Sequence, residues 1–298
     1  MDLFDHLVSQ AIKNQGELAP LRGVVEKELL HHDIIREMGG AGLLDGLTFI
    51  GGTCLRACYG SSRLSEDLDF TGGEGFRRET LKELAGLLVD RLWKKYGLSV
   101  EVSEPVKETR DVDTWKLKVV TRPDQKGLPA QRINIDICAI PSYDRRPMVL
   151  RNHYGVDMGT SGLIIQAQSR EEILADKLVA FALRPNRLKN RDLWDIGWLR
   201  QQNVELPLEL IPKKVRDHRR GIDEFVGLMA ERARQLRHDP QVHSAFIHEM
   251  RRFLPTQTMA RTVENPAFWE YLVGVVEAEC RTVIDSLTGA AASPLFRM

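Results

Sequence analysis

The chain has 298 residues, 43% of them hydrophobic and 28% charged, which excludes disordered, collagen-like and disulfide-scaffold classes. That length predicts about two domains, since single cores rarely grow beyond roughly 250–300 residues. Forty-two basic residues offset forty-two acidic ones, so the formal net charge is zero. A protein that coats nucleic acid is strongly basic, so any nucleic-acid contact here must be a local patch, which argues for an enzyme that visits RNA or DNA over a packaging protein.

The cysteines, Cys54, Cys58, Cys138 and Cys280, form no C-x-x-C pair, and the histidines show no metal-ligand spacing. A reducing cytoplasm is therefore expected in place of a disulfide framework or a zinc site. No apolar run approaches the roughly 18 residues of a membrane span. The opening MDLFDHLVSQ puts acids where a signal peptide has a basic flank.

In chain order, Val24 to Met38 carries apolar residues at helical spacing, ended by Gly39-Gly40-Ala41-Gly42. Leu47–Ile50 reads as a short strand stopped by Gly51-Gly52, with a helix of about two turns after it and a second short strand at Asp67–Phe70. A helix is expected from Arg77 to about Trp93, with Leu81, Leu84, Leu88 and Leu92 along one side. Strands follow near 98–104, 114–121 and 132–140, the last alternating Ile133, Ile135 and Ile137 against Asn134, Asp136 and Cys138, and a final strand at 163–168. Beyond Ser169 the pattern is helical throughout. The expected architecture is an N-terminal α/β (α+β) domain with a mixed sheet over residues 1–165, then a mostly helical domain over 166–298.

The chemistry concentrates in Ile50-Gly51-Gly52-Thr53 and Ser65-Glu66-Asp67-Leu68-Asp69-Phe70. A strand ending in two glycines before a helix lets backbone approach a phosphate closely. Asp67 and Asp69, two apart on a strand, leave one face, while Leu68 and Phe70 point to a core. Two such carboxylates suit hard divalent cations, and a third from a neighbouring strand would complete a two-metal phosphoryl-transfer site. Asp136, among isoleucines, is the candidate third ligand.

Each piece has an ordinary alternative. A lone D-x-D is commonly a turn or helix cap, a Gly-Gly a turn, and Asp136 a strand-end carboxylate facing water. The pieces in this order are the argument. An EF-hand loop begun at Asp67 needs Glu at position 78, which is Arg78, and no Gly-Lys-Ser/Thr, H-E-x-x-H or G-x-S-x-G is present. Gly40 and Gly42 are followed by Leu43, Leu44 and Asp45, which is not a dinucleotide fingerprint.

Residues 50–70, IGGTCLRACYGSSRLSEDLDF, resemble the signature of the polymerase-β-like nucleotidyltransferase superfamily, and most closely its AbiEii/AbiGii toxin branch, with G-G-T followed by R-x-S-x-D-x-D-F. The 14 residues between Gly52 and Asp67 fit that branch. Glu171 to Leu178 resembles its lysine-bearing helix, and Arg191-Asp192-Leu193-Trp194-Asp195-Ile196 its R-D-x-x-D-hydrophobic motif, so the likeness spans about residues 47–200. It implies that Asp67 and Asp69 bind metal, that Gly51, Gly52 and Thr53 hold a nucleoside triphosphate, that Lys177 contacts the triphosphate, and that Asp195 is an essential acid. Asp136 is the weaker metal ligand by this comparison. Lys177 otherwise reads as a solvated helix lysine, and Asp192 and Asp195 as partners of Arg191 or Lys189.

Arg63 is placed to touch triphosphate oxygens or to pair with Glu66, and Ser65 to hydrogen-bond a carboxylate. Two basic clusters are candidate phosphate-backbone contacts: Arg184, Arg187, Lys189 and Arg191, and a second run from Lys213 to Arg220. The resemblance implies a Mg²⁺-dependent (or Mn²⁺-dependent) toxin that transfers a nucleotidyl group to an acceptor such as the 3′ end of tRNA, with a cognate antitoxin as partner. Alternatives are a small-molecule nucleotidyltransferase of the antibiotic-modifying kind, a metal-dependent glycosyltransferase, or a catalytically idle binding module of the same fold.

Overall fold

The computed structural model of the chain describes residues 3–105, 112–123, 125, 127–185 and 187–289. It divides into two compact units, residues 1–169 with 252–256, and residues 170–251 with 257–298.

The first unit is built on a seven-stranded mixed sheet. Its strands are β1 (Thr48–Ile50), β2 (Leu68–Thr71), β3 (Ser99–Ser103), β4 (Val112–Val120), β5 (Gln131–Cys138), β6 (Arg145–Val149) and β7 (Ile164–Gln168), in the order β3-β4-β5-β2-β1-β7-β6. β2 with β5 and β1 with β7 are parallel, and the remaining pairs are antiparallel. Strand alternation makes one face apolar: Phe49, Leu68, Phe70, Trp115, Leu117, Ile133, Ile135 and Ile137 are all buried. Each large side chain so buried contributes about 1.5–3 kcal/mol. Helices α1 (Leu3–Asn14), α2 (Arg22–Gly40) and α4 (Leu84–Tyr96) belong to this unit, α2 packing on β5 and α4, and α4 on β3.

Helix α2 departs from the amphipathic pattern. Besides its apolar residues it buries Glu26, Glu28 and Asp33, and a buried carboxylate is costly unless paired and hydrogen-bonded. Each of these is. Glu26 accepts from Thr121 Oγ1 (2.9 Å) and from Gln131 Nε2 (2.7 Å) at the start of β5. Asp33 pairs with Arg36 and Lys95 and accepts from the Tyr96 hydroxyl. Glu28 faces the chain that leads into β2.

The expected helix at 77–93 is two pieces, a 3₁₀ turn at Arg78–Leu81 and α4. Its leucine stripe is buried as expected. Arg78, at the start of the 3₁₀ turn, is tied to Asp113 (2.6 Å) and the Pro105 carbonyl (3.2 Å). Helix α1 and strand β6 were not expected from the sequence pattern; β6 is an edge strand carrying Pro147, a position where a missing N–H is tolerated.

The second unit is helical: α5 (Arg170–Leu183), α6 (Asn190–Gln201), α7 (Ile211–Asp217), α8 (Ile222–His238), α9 (Pro240–Met250), α10 (Thr256–Arg261) and α11 (Pro266–Thr288). α5 is buried nearly all round and packs on α6, α7 and α8, the pattern of a central helix. Gly197 lets α6 approach α11 closely, since a Cβ there would lie 2.6 Å from Leu272 Cδ1. Among the described residues no helix is long and apolar enough to cross a membrane.

Candidate active site

The polar face of the sheet carries the candidate carboxylates. Asp69 on β2 stands directly opposite Asp136 on the parallel strand β5, with Leu68 opposite Ile135 and Phe70 opposite Ile137 on either side. Paired residues on neighbouring strands share a face and lie about 5 Å apart, so the two carboxylates leave the sheet together. Asp67, just before β2, accepts at Oδ1 from the Asn134 backbone N–H, 3.1 Å away. The sheet register thus gathers all three predicted carboxylates around the β2–β5 pair.

The glycines come next. β1 runs antiparallel to β2, with Ile50 opposite Asp69, and the following residue, Gly51, opens the short helix α3 (Gly51–Cys54). Gly51 has φ +74°, and a Cβ on it would sit 3.0 Å from Asp69 Oδ2. Only glycine meets both conditions without strain. The Gly51 backbone is therefore packed against one of the candidate metal-binding carboxylates.

Thr53 is buried, and its hydroxyl donates to the Asp67 carbonyl while pairing with the Ser65 hydroxyl. Its side chain thus serves the D-x-D segment. Ser65 was expected to reach a carboxylate; its hydroxyl instead meets Thr53. Arg63 is buried at 2% exposure, with Nη1 donating to the Leu64 carbonyl at 3.1 Å. Glu66 pairs with Lys27 (2.8 Å) and Arg252 (3.4 Å).

The residues present fit a divalent cation of the kind the sequence suggested. Mg²⁺ in phosphoryl-transfer sites takes one or two carboxylates, with substrate phosphates and water filling the rest of its shell. The Asp69–Asp136 pair, with the Gly51 backbone packed on Asp69, supplies that part. Among the described residues no three His, Cys, Asp or Glu side chains converge as a ready-made cage, so the three-carboxylate metal set expected from sequence is not preassembled.

In the second unit, Lys177 on α5 is buried and held by Asp192 (2.5 Å) and Asp195 (2.9 Å), which lie one helical turn apart on α6. The alternative reading paired these acids with Arg191 or Lys189; Asp192 pairs with Lys177 and with Arg184 (3.2 Å), with Lys189 close enough to act on its charge, and Arg191 pairs with Glu249 (3.3 Å). Burial would raise the Asp192 pKa, but Lys177, Lys189 and Arg184 together hold it below the usual carboxylate range. Burial lowers the Lys189 pKa, opposed by Asp192. In the first basic cluster, then, Arg184 and Arg191 are engaged in ion pairs and Arg187 is exposed.

The second basic cluster is corrected at its centre. Lys214 is 1% exposed and lies 2.5 Å from Glu172 and 2.9 Å from Asp176, a structural ion triad between α7 and α5.

Sequence reasoning missed Glu28, Arg56 and Tyr154, a buried polar group behind the D-x-D segment. Burial raises the Glu28 pKa, but Arg56 and the hydrogen bonds from Tyr154 and Ser65 reverse this, leaving it below the ordinary value. His31 and His153 beside it are lowered to about 4, chiefly by burial. The available signal was weak: Glu28, His31 and His32 stand among Glu26, Lys27, Asp33, Arg36 and Glu37 in a helical run that reads as having an ordinary wet side.

A mixed sheet that pairs aspartates beside a Gly-Gly turn, with a helical unit after it in the chain, is the arrangement expected from the nucleotidyltransferase resemblance of residues 50–70. The solved structure of MenT4, a nucleotidyltransferase toxin from Mycobacterium tuberculosis H37Rv, superposes with a TM-score of 0.57 at 17% identity, covering 96% of this chain and 99% of that one. A Helicobacter pylori protein described as a nucleotidyltransferase (TM-score 0.49, 16% identity, 89% and 99% covered) and JHP933 of Helicobacter pylori (0.47, 16%, 90% and 99%) also match. No curated protein matches the sequence. Residues 34–273 match the family described as nucleotidyl transferase AbiEii toxin, type IV toxin–antitoxin system, and the chain belongs to that family. It is a nucleotidyltransferase.

Proposed function

We propose that this nucleotidyltransferase moves a nucleoside monophosphate from a nucleoside triphosphate to the 3′ end of tRNA, and that blocking the acceptor end arrests translation and growth. In the reaction the acceptor hydroxyl oxygen forms a bond to the α-phosphorus. The bond from that phosphorus to the α–β bridging oxygen breaks, and pyrophosphate leaves with the electron pair. The hydroxyl proton passes to a carboxylate oxygen of the Asp69–Asp136 pair. Asp67, Asp69 and Asp136 would hold Mg²⁺ (or Mn²⁺), which supplies charge compensation for the triphosphate and acidity for the attacking hydroxyl.

The observation that carries this reading is the in-register Asp69–Asp136 pair with Gly51 packed on Asp69. The Gly51–Gly52 backbone is assigned to the triphosphate, and Thr53 to holding Asp67. Arg63, being buried, is assigned a framework role. The family resemblance assigns Lys177 to the triphosphate and Asp195 to an essential acidic role. Within the first basic cluster, Arg187 is the member assigned to the acceptor backbone. The type IV toxin–antitoxin description of the family supports a cognate antitoxin as partner; the cytoplasm is assigned as the place of action from the sequence, which has no disulfide framework.

The test is label transfer from each of the four α-labelled nucleoside triphosphates in the presence of Mg²⁺ and total cellular RNA. Wild type is compared with Asp69→Ala, Lys177→Met and Asp195→Asn. Label in a tRNA-sized band with wild type and its absence with Asp69→Ala is the expected result. Label that stays out of RNA, with a folded protein that binds triphosphate, would overturn the tRNA acceptor and direct the search to small molecules.

A further inference from the structure

Glu28 lies before the segment that matches the family, residues 34–273, and belongs to no motif read from the sequence. It is 5% exposed in the interior of the first unit. Its carboxylate receives three donors: Arg56 Nε at 3.2 Å, the Tyr154 hydroxyl, and the Ser65 backbone N–H at 2.8 Å. A buried ion pair is weak grounds for stability, because well-packed apolar side chains of the same volume serve as well or better. What distinguishes this one is where its hydrogen bonds go.

Arg56 donates Nη1 to the Ser61 carbonyl at 3.0 Å while its Nε holds Glu28. One ion pair therefore pins both ends of the segment from Ser61 to Ser65. The same face of α2 grips the next residue: Lys27 pairs with the Glu66 carboxylate at 2.8 Å, and His31 Nε2 meets the Glu66 carbonyl at 3.1 Å. From Ser65 the linkage continues, hydroxyl to hydroxyl, to Thr53, and Thr53 donates to the carbonyl of Asp67. A fully buried carboxylate is thus joined to the backbone of a candidate metal ligand through two side chains, with no solvent-exposed step among Glu28, Ser65 and Thr53.

We propose that Glu28 is a positioning residue for nucleotidyl transfer, acting through the Ser65 backbone and the Ser65–Thr53 hydroxyl pair to fix Asp67. The proposal rests on the reading of the D-x-D face as the metal-binding site. Neutralising Glu28 removes the charge that holds Arg56 and weakens its hold on the Ser65 N–H, so the approach to β2 loosens while the apolar face of the sheet is untouched.

The experiment uses the full chain and Mn²⁺ alone as probe, read by electron paramagnetic resonance, together with kcat and KM for label transfer. Glu28→Gln is expected to retain the wild-type circular dichroism spectrum and a cooperative melt. Its Mn²⁺ affinity is expected to fall tenfold or more and kcat by 10- to 100-fold, with the triphosphate KM changing less than threefold. A lowered Tm with Mn²⁺ affinity and kcat within twofold of wild type would overturn the proposal and leave Glu28 as scaffold. If Glu28→Gln fails to fold, Ser65→Ala, which removes only the hydroxyl link, is judged by the same two criteria. Asp69→Ala is measured alongside: Mn²⁺ binding as tight as wild type in that variant would sink the metal-site reading itself, whatever Glu28 does.

Discussion

Substituting alanine for Gly51 perturbs one point and tests two causes at once. The residue sits at φ +74°, where an L-side chain costs about 1–2 kcal/mol. The added methyl would also lie 3.0 Å from Asp69 Oδ2 and 3.5 Å from Asp69 Cβ, so the carboxylate must shift by a few tenths of an ångström. Misplacing a reacting group by about 1 Å can cost about 100-fold in rate, so this smaller shift is expected to lower kcat by roughly three- to tenfold. Stability should fall by about 1–2 kcal/mol, a few degrees in Tm. The assays are label transfer and thermal melting, with Gly46→Ala as control, because a Cβ at that exposed glycine meets nothing within 4 Å. In an Asp69→Ala background, Gly51→Ala should cost only its backbone part. A Gly51→Ala protein that transfers label and melts like wild type would refute the argument that Gly51 is fixed by Asp69.

The ion triad of the second unit gives a prediction independent of catalysis. Lys214→Met leaves Glu172, which is 0% exposed, without its cation and should destabilise by about 3–5 kcal/mol in urea unfolding; adding Glu172→Gln should restore part of that, and a single variant as stable as wild type would contradict it. Acid should weaken the first unit. His31, lowered to about 4 from 6.5 when folded, takes up a proton more readily unfolded than folded, so its contribution is complete above about pH 6.5 and is lost as pH falls toward 4, by up to roughly 3 kcal/mol. Melting curves between pH 7 and 4.5 should show this fall, and His31→Gln should remove part of it, the rest coming from His153, which is also lowered to about 4, and from His32. Lys177→Arg should lower Tm and transfer together, because a planar guanidinium cannot take the place of an ammonium held at 2.5 and 2.9 Å by two buried aspartates; wild-type transfer by that variant would show the geometry to be permissive.

The sheet core and the aspartate face were legible because a strand reports its two faces directly. Ile133, Ile135 and Ile137 against Asn134 and Asp136 predict which side is wet, and the register agrees. Gly51 announced a close approach, although not that the close neighbour is Asp69. What stayed hidden were charges whose partners are remote in sequence. Lys214 meets acids about forty residues earlier on α5, Arg191 meets Glu249 on α9, and Glu28 meets Tyr154. A run of basic residues looks like a solvated surface until the fold delivers the counter-charge, and an acid in a helix looks like its wet side. Strand β6, with two arginines and a proline in five residues, lacks the β-branched alternation that reveals interior strands and takes its place from pairing with β7.

The pairing of Asp69 with Asp136 in a parallel ladder also says how this protein can vary in length. Side chains on a strand alternate every residue, so inserting or deleting one residue within β5 ahead of Asp136 would bring an isoleucine opposite Asp69 and turn Asp136 toward the core. Such a change is equivalent to erasing the carboxylate, although every letter of the motif remains in the gene. Between the strands, where no ladder counts residues, gains and losses leave the pair intact. Loop length can therefore change widely while Asp69 and Asp136 stay face to face, and an inserted tag or reporter belongs in the loops for the same reason.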